Sequence, residues 1–287
     1  MKYIDLHTHS TASDGSYAPA ELVFYGKERG LSAMALTDHD TVAGLKEALE
    51  AGRACGLEVI PGVEITAVVE DCDVHIVGLF IEPDHSAIQQ QLKLFAEGRN
   101  YRNQAIIEKL QAAGYNISSV DFEPYRDRTI TRGHIASILS KRGYARDNKD
   151  AIARYMTKGA PTYVVRETPP PEDCIEAIHC SGGLAFVAHV NQIAPQDTVQ
   201  SIAICKKVIA AGADGLETLY CEYDAFWEEA TEAIAREYNL LRSGGSDFHG
   251  AIKQRLDLGS GYGNLAVPAV FLDRMKEALK MKQVRQN

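Results

Sequence analysis

Short apolar runs alternate along the chain with stretches whose apolar residues recur at helical spacing. The runs Tyr3–Leu6, Ala33–Thr37, Glu58–Glu64, Val74–Phe80, Leu184–His189, Gly215–Leu219 and Leu240–Ser243 read as strands. Pro19–Arg29, Val42–Cys55, Pro171–Cys180, Thr198–Ala211, Tyr223–Tyr238 and Leu272–Lys282 read as helices. Pro19 stands just inside the first helix and Gly30 just past its end, the usual capping asymmetry. This alternation predicts a parallel α/β fold, and seven strands suggest a closed or nearly closed barrel related to the (β/α)8 type.

The rhythm breaks between Phe80 and Leu184, a stretch far longer than one crossover helix needs. Ser86–Ala113 reads as a long helix, with Gly133–Arg142 and Asp147–Thr157 as shorter ones, and the stretch closes on the proline-rich "RETPPPED". Residues 84–165 are therefore expected to form a helical insertion over the barrel mouth, with 1–83 and 166–287 forming the barrel.

Composition narrows the class. With 287 residues, 45% of them hydrophobic and 24% charged, the chain is that of an ordinary globular protein. No apolar run approaches the roughly 18 residues that cross a membrane. The first residues lack a basic start followed by an apolar core, since Asp5 and His7 interrupt them, so a cytoplasmic location is expected. The net charge of −9 argues against a broad grip on duplex DNA, while leaving room for a small phosphorylated substrate or a strand end. Cys55, Cys72, Cys174, Cys180, Cys205 and Cys221 form no CxxC pair and read as thiols.

Position singles out the polar residues. His7 and His9 follow the first strand, Asp38-His39-Asp40 the second, and Asp247 and His249 the seventh. Glu64 ends the third strand, His75 lies in the fourth, His189 ends the fifth and Glu217 lies in the sixth. In a parallel barrel such strand ends converge on one face. Any one of these histidines alone would read as an ordinary imidazole. Six imidazoles crowded with Asp14, Glu64 and Asp247 would be costly to bury without cations, and with two or three divalent ions they form a natural ligand shell. The absence of cysteine from the set argues against a structural thiolate zinc site. His/carboxylate ligation suits Mn2+, Zn2+ or Fe2+ and does not choose among them; Mn2+ is the first expectation. His85 and His179, on helical stretches, are expected to face solvent.

In order, "DLHTHSTASDG", "LTDHD", "PGVEIT", "HIVGLF", "VAH" and "GGSDFHG" resemble the motifs of the polymerase and histidinol phosphatase (PHP) family of metal-dependent phosphoesterases, from Tyr3 to about Gly250. "ITRGHIASIL" and "YMTKGAPTYV" are similar to the branch of 3′,5′-nucleoside bisphosphate phosphatases that also trim RNA 5′ ends. The resemblance implies a distorted (β/α)7 barrel with a small helical insertion and up to three ions. It would place one ion on His7, His9, Glu64 and Asp247. Glu64 would bridge to a second, completed by His75 and His189, and Asp14, His39 and His249 would hold a third. Where the branch usually has proline after the fifth-strand histidine, this chain has Val190.

Hydroxide held by such ions would attack phosphorus in line. Arg132, His134 and Lys158 are the candidate phosphate contacts, with Arg132 and His134 also candidates for catalysis and His134 or a metal-bound water for the general acid. Asp38 and Asp40 could orient His39 or lie near the leaving oxygen. Asp40 before "TVAGL" also fits a helix N-cap. Tyr220, Tyr223, Phe226 and Trp227 could stack on a base, although helix packing explains them as well. The expected reaction removes the 3′-phosphate of nucleoside 3′,5′-bisphosphates such as adenosine 3′,5′-bisphosphate, with trimming of short RNA as a second activity. The alternatives are a phosphatase of another small monoester, such as histidinol phosphate, and a non-catalytic metal-binding module.

Overall fold

The computed structural model describes residues 3–125, 130–165, 169–253 and 255–286. Its strands are β1 (Tyr3–Asp5), β2 (Ala33–Leu36), β3 (Glu58–Val69), β4 (Cys72–Leu79), β5 (Leu184–Val187), β6 (Gly215–Tyr220), β7 (Leu241–Gly245) and β8 (Val267–Pro268). They form one sheet in the order β7-β6-β5-β4-β3-β2-β1-β8. The ring is closed by the segments that continue β1 and β7. Leu6 N donates to Gly244 O at 3.1 Å, Asp247 N to His7 O at 2.9 Å and His9 N to Phe248 O at 2.9 Å. Asp5 clamps the seam, its carboxylate accepting from Ser246 N at 3.0 Å and Gly259 N at 2.8 Å. This is the expected distorted (β/α)7 barrel, with the short β8 added antiparallel to β1.

One expectation is overturned. The sheet is not wholly parallel, because β4 runs antiparallel to both β3 and β5. The turn between β3 and β4 is only Glu70-Asp71, both with positive φ (51° and 63°). A two-residue turn of this kind makes a hairpin, whereas a parallel neighbour needs a crossover. β3 also runs past Glu64 to Val69, so the hairpin rises above the rim as a wall.

The helices are α1 (Pro19–Glu28), α2 (Leu45–Cys55), α3 (Ser86–Ala112), α4 (Arg132–Lys141), α5 (Asn148–Ala151), α6 (Pro171–Cys180), α7 (Thr198–Ala210), α8 (Ala225–Glu237) and α9 (Val270–Gln286). The stretch 147–157 is not one helix: α5 passes into a π-helical turn at Ile152–Met156. In "RETPPPED", residues 166–168 lie outside the described residues. The reversal of β4 explains α3. The chain leaves β4 at the end opposite the mouth, and 27 helical residues, about 40 Å, carry it back. Ile88, Leu92 and Phe95 pack into the barrel core, while Ile106 and Leu110 belong to a second core with Ile135, Leu139 and Tyr155. All six cysteines are free thiols. Among the described residues no helix is long and apolar enough to cross a membrane.

Candidate metal centre

At the mouth, extended chain past β1 turns the alternate residues His7 and His9 to the same side. The loop behind them is tied by Asp38, which accepts from Ser10 N at 2.8 Å, Ser10 Oγ at 2.7 Å and Ser13 Oγ at 2.6 Å. This brings Asp14 to the cluster. Gly245 is required on the opposite side, because a Cβ there would come within 2.4 Å of His7 Cβ. His75 lies on the β4 strand of the hairpin wall, opposite Thr66: the reversed β4 puts its beginning, not its end, at the mouth.

All nine expected ligands meet. Glu64 is central, with Oε1 3.2 Å from His7 Nε2, 2.7 Å from His75 Nδ1 and 2.9 Å from His189 Nε2. Its Oε2 lies 3.3 Å from His9 Nε2 and 2.7 Å from His39 Nδ1. Asp247 Oδ1 is 3.2 Å from His9 Nε2, and Asp14 Oδ1 is 3.2 Å from His249 Nε2. The donor atoms fall into four overlapping sets, each within 4.8 Å: His9, Asp14, His39 and His249; His7, Glu64 and His189; His7, His9 and Asp247; His39, Glu64 and His75. Three non-glycine residues at or beside this cluster have positive φ, namely Asp40 (50°), His189 (23°) and Asp247 (53°). Such backbone is held only where the surroundings demand it.

The donors fit divalent ions. His7 Nε2, both ring nitrogens of His9, Asp14 Oδ1 and Glu64 Oε2 are buried without a hydrogen-bond partner. Several lie close to an opposite charge yet are not aligned to share a proton, as expected of lone pairs directed at a common cation. Burial pushes the Glu64 carboxyl upward, but the imidazoles of His39, His75 and His7 outweigh it and hold its pKa well below the usual range. Asp14 is lowered likewise, burial being overcome by His39 and His249. His9 goes the other way: burial, then His249 and His39, keep its imidazole neutral. His7, His75 and His249 are raised instead, burial being overcome by Glu64 at His7 and His75 and by Asp247 and Asp14 at His249, so a cation binding there would displace protons.

The insertion meets this cluster through α4. Thr131 Oγ1 donates to Asp14 Oδ2 at 2.7 Å, and Thr131 N donates to His134 Nδ1 at 3.0 Å. His134 is buried beside Tyr125, their rings 4.3 Å apart. Arg132 pairs with Asp73 on the hairpin wall. Lys158 is not brought to the cluster: it pairs with Asp71 at the wall's tip, 2.7 Å away, and its side chain is 68% exposed. Asp40 does not cap a helix, since α2 begins at Leu45 with Gly44 before it. Its carboxylate pairs with Arg99 of α3 and accepts from Thr66 N at 3.2 Å. Tyr220 and Tyr223 are buried, and Tyr223 stacks on Trp227, so packing accounts for them. His179 is half-buried, bound to Asp214 at 2.7 Å, and His85 caps α3.

Four residues around the cluster escaped sequence reasoning in their roles. Glu217 Oε1 lies 2.8 Å from His7 Nδ1. Tyr220 Oη donates to Asp247 Oδ2 at 3.1 Å, and Lys253 pairs with the same oxygen, leaving Oδ1 to the histidines. Thr131 holds Asp14. Glu217, inside the sixth strand, and Tyr220, in the aromatic run at its end, carried signal in the sequence, but for other roles or none; Lys253 carried none.

A buried cluster of imidazoles and carboxylates at one barrel face defines a metal-dependent hydrolase. The chain belongs to the PHP domain family, whose model matches residues 5–234. It is 35% identical over 249 residues to a 5′-3′ exoribonuclease of Haemophilus influenzae, covering 86% of this chain and 90% of that one. It is 33% identical over 261 residues to a 3′,5′-nucleoside bisphosphate phosphatase of Chromobacterium violaceum, covering 90% and 91%. A solved metal-dependent phosphoesterase of Bifidobacterium adolescentis superposes with a TM-score of 0.84 at 30% identity, covering 96% of this chain and 95% of that one. The protein is thus a metal-dependent phosphoester hydrolase of the PHP family.

Proposed function

We propose that the enzyme removes the 3′-phosphate of nucleoside 3′,5′-bisphosphates, using two or three divalent ions, Mn2+ first. His7, His9, Asp14, His39, Glu64, His75, His189, Asp247 and His249 would hold them. Bound there, the ions would supply a nucleophile at neutral pH and neutralise charge on the phosphate. The observation that carries the reading is the junction of α4 with the cluster. Thr131, just before α4, holds Asp14, and Arg132 and His134 stand on the first turn of that helix, so a second phosphate bound there would find cationic and N–H donors near the reacting one. Asp40, engaged by Arg99 and Thr66, positions the His39 loop. Lys158 contributes at the rim.

The resemblance to exoribonucleases favours a second activity on short 5′-phosphorylated RNA, whose end carries the same pattern of phosphates. The test is an assay of protein reconstituted with Mn2+ against adenosine 3′,5′-bisphosphate, AMP, histidinol phosphate and a short 5′-phosphorylated RNA. Phosphate release from the bisphosphate with AMP left intact is the expected result. Turnover of histidinol phosphate alone would overturn the nucleotide assignment.

A further inference from the structure

We propose that Glu217 is a positioning residue that presets two ligands, His7 and His189, for the ions that Glu64 would bridge, an inference that rests on the metal-centre reading above. Glu217 is 1% exposed, at a place where β6 breaks register with β7 between Glu217 and Leu219. Such a bulge re-aims a side chain. Here it directs the carboxylate to two ligands at once.

Oε1 lies 2.8 Å from His7 Nδ1, and Oε2 accepts the backbone N–H of His189 at 2.6 Å. In this geometry Oε1 can accept from a proton on His7 Nδ1, the tautomer that leaves the Nε2 lone pair facing the cluster. At His189 the same group holds a backbone with φ of 23°, a conformation that swings the ring inward. Both Nε2 atoms then converge on Glu64 Oε1, at 3.2 and 2.9 Å. Glu217 is not itself in any of the four donor sets among the described residues, and both its oxygens are already engaged. The next residue along supports the arrangement: Val190 N donates to Tyr223 Oη at 2.8 Å, a bond that proline at this position could not make.

Gln at 217 keeps the shape but offers one acceptor and one donor, so it satisfies one of the two partners and opposes the other. The experiment titrates metal-free protein with Mn2+ alone, reading bound ion by calorimetry and by the electron paramagnetic resonance of free Mn2+. Glu217→Gln is expected to weaken one class of site about 10- to 100-fold and leave the rest. In a His7→Ala background the same change is expected to add little, because the amide oxygen can then turn to the His189 N–H and its amino group meets no second donor. Wild-type affinity in Glu217→Gln overturns the proposal, as does full additivity with His7→Ala. A lowered melting temperature of the metal-free protein with unchanged Mn2+ affinity also overturns it, since that marks simple packing. If the amide variant does not fold, Glu217→Asp, one methylene shorter, is titrated with the same criteria. No phosphate ester is present, so a failed substrate assignment leaves this titration untouched. Wild-type protein that bound no Mn2+ would instead remove the metal-centre reading itself.

Discussion

The two ends of the barrel use buried charge in opposite ways. At the end away from the mouth, Asp214 is largely buried with every oxygen engaged: His179 Nε2 at 2.7 Å and Ala185 N at 2.9 Å on Oδ2, Lys282 Nζ at 2.5 Å on Oδ1. At the mouth, nine ionisable residues crowd together and five of their atoms have no hydrogen bond. The first arrangement is complete without any addition and ties α6, β5 and α9 together. The second is complete only with cations. Satisfaction, rather than burial or charge, separates a structural carboxylate from a functional one.

The largest effect expected from breaking this contrast is at His9, whose two ring nitrogens both lack partners. His9→Ala should cut phosphoester hydrolysis by more than about a hundredfold, since loss of an outer partner alone reaches that size. Measured metal content should fall with it, and retained content and rate would refute the ligand role. Next, chelation of wild-type protein should lower its melting temperature, because an ion at a thousand times its dissociation constant stabilises by about 4 kcal/mol. Mn2+ should restore it, and the shift should shrink in His9→Ala but persist in Asp214→Ala. Asp214→Ala should cost about 1–3 kcal/mol by leaving its donors unpaired, with hydrolysis per folded molecule unchanged. Denaturant titration with a parallel rate assay checks both halves.

A smaller effect follows from acid. Burial alone would raise the Asp214 pKa, but His179, Lys282 and the Ala185 N–H together lower it. A carboxyl depressed in the folded state stabilises fully above its unfolded value of about 4, and that contribution is lost as pH falls through the folded value. Asp214→Asn should therefore flatten the acid limb of a stability–pH profile and leave stability above pH 6 lower by a constant amount. The smallest change is expected at Lys158. Its exposed pair with Asp71 should contribute little to stability, and Lys158→Ala should raise KM less than Arg132→Ala does.

Much of this was legible in the chain, and the gaps have physical causes. Strand positions were readable because apolar runs are local, and the candidate ligands sat in or shortly after those runs, with Asp14 in the loop beyond the first. The direction of β4 was not readable from its apolar content, which is the same for either sense; only the brevity of the Glu70-Asp71 turn decides it. Asp40 before "TVAGL" looked like a cap, yet an arginine on α3, far along the chain, claims its carboxylate. Glu217 shows the same limit from the other side. Its residue type and strand position were visible, but a bulge and a partner 210 residues away give it its role. Roles made by distant contacts leave little trace in local pattern.

The seam between β1 and β7 governs when the centre can form. Asp5 meets Ser246 across 241 residues, and Asp247 N reaches the carbonyl of His7. Closing so long a loop is entropically late in folding, because contacts near in sequence form before it is rewarded. His7 and His9, which precede Asp247 and His249 by some 240 residues, therefore wait for them before they have a complete set of partners. Tight ion capture is in consequence a property of the finished ring and reports its closure, so the rate at which refolding protein acquires Mn2+ affinity measures the last step of folding.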